Sequence, residues 1–164
     1  MTRHSILIIL LCLCLAPRVL TAEAPDDLSA RRHALLQAIN QVRAEAALPL
    51  LHAVEVLHRV AQAHAEDIAA RGRLDHRGSD GAGLAARLHR AGYDYSLAAE
   101  NLAEGTGDAA ATVALWMQSP GHRANLLLPG VRDIGIGYVA VAEPGYPNDR
   151  RDYWVLDLGR LLQR

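Results

Sequence analysis

The groups in this chain that could do chemistry gather in three short polar segments, each beside glycines or prolines that let backbones come close. His76 lies in L-D-H-R-G-S-D-G, and Glu100 and Asn101 lie in A-E-N-L-A-E-G. His122 lies in W-M-Q-S-P-G-H-R-A-N-L-L-L-P, which also carries Ser119 and Asn125. Two imidazoles and a carboxylate are a donor set for a zinc-type site in which water fills an open position. Spacing alone does not bring them together, and ordinary polar loop residues fit the same pattern. His64 and Glu66 do not extend the set to a zincin motif, because position 68 is isoleucine. Ser79 follows His76 by three residues and Ser119 precedes His122 by three, but such local pairs rarely share a proton. No G-x-S-x-G elbow accompanies them, which argues against a serine hydrolase.

These segments need elements to hold them. Ser29 is placed to cap a first helix with an apolar stripe of Leu35, Ile39, Val42 and Ala46, ending by Pro49. A second amphipathic helix carries Leu57, Val60, Ala61, His64, Ala65 and Ile68 on one face and stops at Gly72. His64 on that apolar face reads as a packed core histidine. Residues 73–83 read as a loop, and 84–91 as a short helix ending at Gly92. Residues 98–103 form a stretch of undetermined type. Asp108 can cap a helix through Val113, Trp116 and Met117 that Pro120-Gly121 ends, and the same pair gives the turn presenting His122. Residues 133–141 and 153–158 alternate as strands around a polar hairpin loop. Trp116 and Trp154 read as core and cleft wall, and Asn101 and Asn125 as amides that pin irregular backbone. Helices first and strands last indicate a mixed domain with segregated elements.

The composition bounds the setting. Arg3, an apolar run from Ile6 to Ala16 and the small residues before Glu23 have the layout of a cleavable signal peptide over residues 1–22. The run is too short for a stable transmembrane anchor. Both cysteines, Cys12 and Cys14, fall inside it, so the mature chain has no disulfide, zinc-thiolate site or cysteine nucleophile. An exported domain without cysteine points to a bacterium, and all 17 basic residues being arginine fits a GC-rich genome. Cleavage removes Arg3 and Arg18 and leaves all 18 acidic residues, so the mature chain is acidic by about three charges. No basic stripe supports a nucleic-acid partner. Residues 23–32 read as a polar lead-in and 33–160 as one domain, exported to the periplasm or secreted.

Five motifs in order resemble the bacterial branch of the CAP superfamily, the cysteine-rich secretory protein, antigen 5 and pathogenesis-related 1 (SCP-like) proteins. They are H-x2-S-D-G, A-E-N-L-A-x-G, W-M-x-S-P-G-H-R-x-N-L-L, I-G-I-G and Y-W-V-x-D-L-G, with A-x-x-H-A-E-D-I-A upstream at 61–69. The match runs from about His33 to Gly159. The resemblance implies an α+β fold, a three-layer α-β-α sandwich with a central antiparallel sheet. It also implies a cleft lined by two histidines and two acids. His76, Glu100 and His122 match three of these, while Ser119 stands where the second acid belongs and Glu104 is a conceivable substitute.

Two functions follow from the resemblance. One is binding of a lipid or cell-envelope glycan in the cleft of His76, Glu100, His122, Ser119, Asn101 and Asn125, with or without zinc or another divalent cation held by His76, Glu100 and His122. The alternative is a metal-dependent hydrolase acting on envelope material or peptides, with the same three residues as its machinery and Glu100 or Glu104 as proton acceptor. The missing second acid favours binding.

Overall fold

A computed structural model describes residues 25–162. The expected signal peptide, residues 1–22, and both cysteines lie outside the described residues. Among those described, no helix is long and apolar enough to cross a membrane.

The elements are α1 (Pro25–Glu45), β1 (His52–Ala53), α2 (Glu55–Arg71), α3 (Leu84–Arg90), β2 (Tyr95–Glu104), α4 (Ala109–Gln118), α5 (Pro120–Leu126), β3 (Asp133–Ala142) and β4 (Arg150–Leu161). The sheet order is β1-β3-β4-β2. The three long strands are antiparallel, and the two-residue β1 adds to the edge in parallel, so the sheet is mixed at that margin.

Three differences from the sequence reading have physical causes. The first helix begins at Pro25, so Ser29 sits inside it and the polar lead-in is largely helical. Proline suits a first turn because its missing N–H would have had no intrahelical partner. The same rule operates at Pro120, which opens α5 directly behind α4 as well as ending α4. Residues 98–103 belong to β2: alanine is a poor strand former, and pairing with β4 decides the conformation.

The sheet separates two cores. On one face, Leu35 and Ile39 of α1, Trp116 of α4 and Leu126 of α5 pack on Ile134, Ile136, Trp154, Leu156 and Leu158. On the other, Ala61, Ala65 and Ile68 of α2 cover Leu102, Tyr153 and Val155, while Leu57 and Val60 meet Leu88 and Tyr93. Helices on both faces of the sheet make this a three-layer α-β-α sandwich. Alternation in I-G-I-G explains the asymmetry at β3: isoleucines face α1 and α4, glycines face α2. A Cβ on Gly135 would lie 2.1 Å from the Leu57 carbonyl carbon, and one on Gly137 2.2 Å from the Ala61 oxygen. Only glycine lets α2 lie this close to the sheet.

Candidate functional site

The site is assembled around β2 at the edge of the sheet, starting from the loop that carries His76. Asp67 on α2 accepts from the backbone N–H of Ser79 (3.1 Å) and from Arg71 (2.7 Å). Asp75 turns the chain by accepting from Arg77 N–H (2.9 Å), and Gly81 takes a positive φ of 78°. His64 reaches from the core of α2 to donate from Nε2 to the Asp75 carbonyl (3.0 Å). That bond fixes its tautomer, and burial lowers its pKa, so His64 is a neutral strut holding the loop. Its reading as a packed core histidine agrees with this position.

His76 stands at the loop's surface with its side chain 62% exposed, and its Nδ1 meets Glu100 Oε1 at 2.7 Å. Glu100 projects from β2, its side chain only 3% exposed. Its other oxygen, Oε2, accepts from Arg87 Nη2 on α3. The same guanidinium donates through Nη1 to the His76 and Ala82 carbonyls, both at 3.0 Å. Arg87 thus ties loop, helix and strand to one carboxylate. Directly across the strand pair from Glu100 lies Asp157, completely buried and with no hydrogen-bond partner for either oxygen.

The amides build the other wall. Asn125 on α5 donates to the Asn101 side chain (2.8 Å) and the Glu100 carbonyl (3.2 Å), and Asn101 donates to the His122 carbonyl (3.0 Å). These bonds hold α5 against β2 and set His122, half-buried, where it feels the charge of His76. Ser119 occupies the junction of α4 and α5 and its side chain makes no capping hydrogen bond. Glu104 is engaged elsewhere, by Arg151 at 2.7 Å.

The charges in this small volume pull titrations apart. Burial raises the Glu100 carboxyl, but the His76 hydrogen bond and the Arg87 charge outweigh it, so Glu100 is held below its ordinary range. Hydrogen bonding to Glu100 raises His76 against its partial burial. Burial, then the charge of His76, lowers His122. Burial, reinforced by the negative Glu100, pushes Asp157 well up. The arrangement sets His76, raised by its carboxylate partner, against His122, lowered by burial and by the charge of His76.

Among the described residues, no group of three or more His, Cys, Asp or Glu side chains is arranged to hold a metal ion. Glu100 accepts from His76 through one oxygen and from Arg87 through the other. A cavity of about 510 Å³ lies between α2, α3 and the loop. It shares His64 and Arg87 with the site but does not include His76, Glu100 or His122.

Two residues of the cluster escaped the sequence reading. Asp157 left a signal, an acid within the apolar alternation W-V-L-D-L. Arg87 left none, since nothing separates it in sequence from the exposed arginines around it.

Comparison with known proteins agrees with this architecture. The model of the family described as "CAP: Cysteine-rich secretory protein family" matches residues 36–158. The Bacillus subtilis protein YkwD is 32% identical over 119 residues, covering 73% of this chain and 46% of that protein. A crystal structure of an extracellular protein containing an SCP domain, from Bacillus anthracis, superposes with a TM-score of 0.68 at 25% identity. It covers 84% of this chain and 44% of that one, so the chain spans less than half the length of either of these relatives. An outer surface protein of Borrelia burgdorferi shares the fold, with a TM-score of 0.69 at 22% identity, over 81% of this chain and 94% of its own.

Proposed function

The chain belongs to the CAP, or cysteine-rich secretory protein, family, and from that premise we propose that it is an exported domain that binds a cell-envelope ligand in the His76–Glu100–His122 cleft. Export draws support from the signal-like first 22 residues and from the extracellular relative in Bacillus anthracis. The observation that carries the binding reading is the exposed His76 ring fixed by a buried, doubly held carboxylate. An exposed polar side chain with a rigid buried anchor is pre-organised for recognition, because little of its freedom remains to be lost on binding.

Of the two ligand classes, lipid and envelope glycan, the cleft favours the glycan. Its accessible groups are the imidazoles of His76 and His122, which match hydroxyl, acetamido and carboxylate groups. The apolar walls of Val60, Ala63 and Ala91 line the cavity that includes His64 and Arg87 but neither His76 nor His122. Titration of the protein with soluble muropeptides by calorimetry tests this reading. Saturable binding that weakens at least tenfold in His76→Ala supports it. Binding that is unchanged in His76→Ala, or that occurs only with phospholipid vesicles, contradicts it.

A hydrolytic reading draws on one observation, the opposed shifts of His76 and His122, which would suit an acid and a base. Release of reducing ends or free peptide from the same muropeptides, lost in both His76→Ala and His122→Ala, would establish it.

A further inference from the structure

We propose that Arg87 is the resident cation of the cleft: its guanidinium holds the charge position at Glu100 that a divalent ion would need, so the site works without metal. The inference concerns the same cleft, but it stands whatever ligand the cleft takes.

Three observations carry it. First, Arg87 is locked by three acceptors from three segments, namely Glu100 Oε2 on β2, the His76 carbonyl in the loop and the Ala82 carbonyl before α3. Its side chain is only 12% exposed. A guanidinium so placed is not a mobile surface charge that would swing aside for an incoming ion. Second, both Glu100 oxygens are already engaged, Oε1 by His76 Nδ1 at 2.7 Å and Oε2 by Arg87, so a metal there would compete with two donors for the remaining lone pairs. A metal at Glu100 would have to displace one donor or share an oxygen with a like charge. Third, the local charge is already balanced. Glu100 faces one guanidinium, and Ser119 brings no carboxylate from the α4–α5 junction. Adding a divalent ion beside Arg87 would place like charges together in a site largely closed to solvent screening.

Arg87 is therefore a positioning residue. It fixes Glu100, Glu100 fixes the His76 ring through Nδ1, and Nε2 is left as the ring nitrogen for a ligand. Removing the guanidinium should turn the same residues toward metal: Glu100 regains a free oxygen, and the two histidines become its neighbours as ligands.

Zinc binding by the full mature chain tests this, measured by equilibrium dialysis and by the shift in melting temperature with added zinc. Wild type is expected to bind zinc no more tightly than a His76→Ala/His122→Ala control. Arg87→Met is expected to bind at least tenfold more tightly than wild type, to be stabilised by zinc, and to lose both properties when His76→Ala is added. Arg87→Gln, which retains an N–H donor for the Ala82 carbonyl, carries the same expectation if the methionine variant does not fold. If neither folds, wild type alone decides: micromolar zinc uptake that disappears in His76→Ala overturns the proposal, and its absence supports it. A folded Arg87 variant with no gain in zinc affinity also overturns it. None of these measurements reads glycan binding, so failure here leaves the ligand reading standing.

Discussion

The two faces of the sheet bury acids in opposite ways. On the α1/α4 side, Asp152 accepts from Trp154 Nε1 (2.6 Å), the Gly107 N–H (3.1 Å) and Thr106 (3.2 Å), all neutral donors. Around it the packing is apolar, with Trp116 and Trp154 completely buried. On the α2/α3 side, Glu100 is held by a guanidinium and a histidine, and Asp157 beside it has no partner. One face closes a core in which the acid is met by neutral donors; the other keeps charges close under a surface histidine. Buried ion pairs contribute little net stability compared with apolar packing of the same volume. The difference teaches that the first face holds the fold and the second is shaped by what the cleft must do.

The largest test of that division is Trp116→Ala. It removes a buried ring and its hydrogen bond to the Leu102 carbonyl (2.9 Å), with an expected loss of about 4 kcal/mol in urea unfolding. Ligand binding by the fraction that remains folded should be unchanged. Next comes Arg87→Met, expected to cost about 3 kcal/mol because Glu100 is left buried without its cation. Unlike the tryptophan change, this loss should be largely recovered by adding Glu100→Gln, which only a charge-based mechanism allows. Gly137→Ala should cost about 2 kcal/mol, since the new methyl meets the backbone of α2 and overpacking strains both partners. Its signature would be lost hydrogen-exchange protection in α2, with α1 and α4 protected as before.

The smallest effect is a sign. Asp157 titrates higher when folded than its ordinary 3.8. Its contribution to stability is thus fully present below that value and declines as pH rises toward the folded value. Glu100, held below its ordinary 4.5, acts oppositely: its contribution is present above that value and is lost as pH falls through the folded one. Asp157→Asn should therefore gain stability relative to wild type as pH rises above 3.8. Glu100→Gln should lose ground as pH rises toward 4.5 and keep a constant deficit above it. Parallel pH profiles for both variants would show that the two carboxyls do not oppose each other.

Much of this was legible in the sequence, and what was not has a physical pattern. The stripe on α2, the Gly72 stop, the Asp108 cap and the β3–β4 hairpin all follow from periodicity and turn chemistry, which are local. β2 was not legible, because A-A-E-N-L-A has no strand propensity and gains its conformation from β4. β1 is too short to leave a pattern. In the site, motif order pointed to His76, Glu100 and His122, and the amides Asn101 and Asn125 do hold backbone. The expectation of a metal rested on those residue types and on the resemblance. It could not include Arg87, whose meeting with Glu100 depends on how α3 lies against β2.

The most direct test of the division between the faces is one protein measured twice, Arg87→Met/Glu100→Gln. The account expects urea unfolding within about 1 kcal/mol of wild type, since an ion pair is replaced by neutral groups, together with at least a tenfold loss of muropeptide affinity. A protein that is strongly destabilised yet, while folded, binds muropeptides as well as wild type would contradict it, because the buried charges would then be serving the fold and not the cleft.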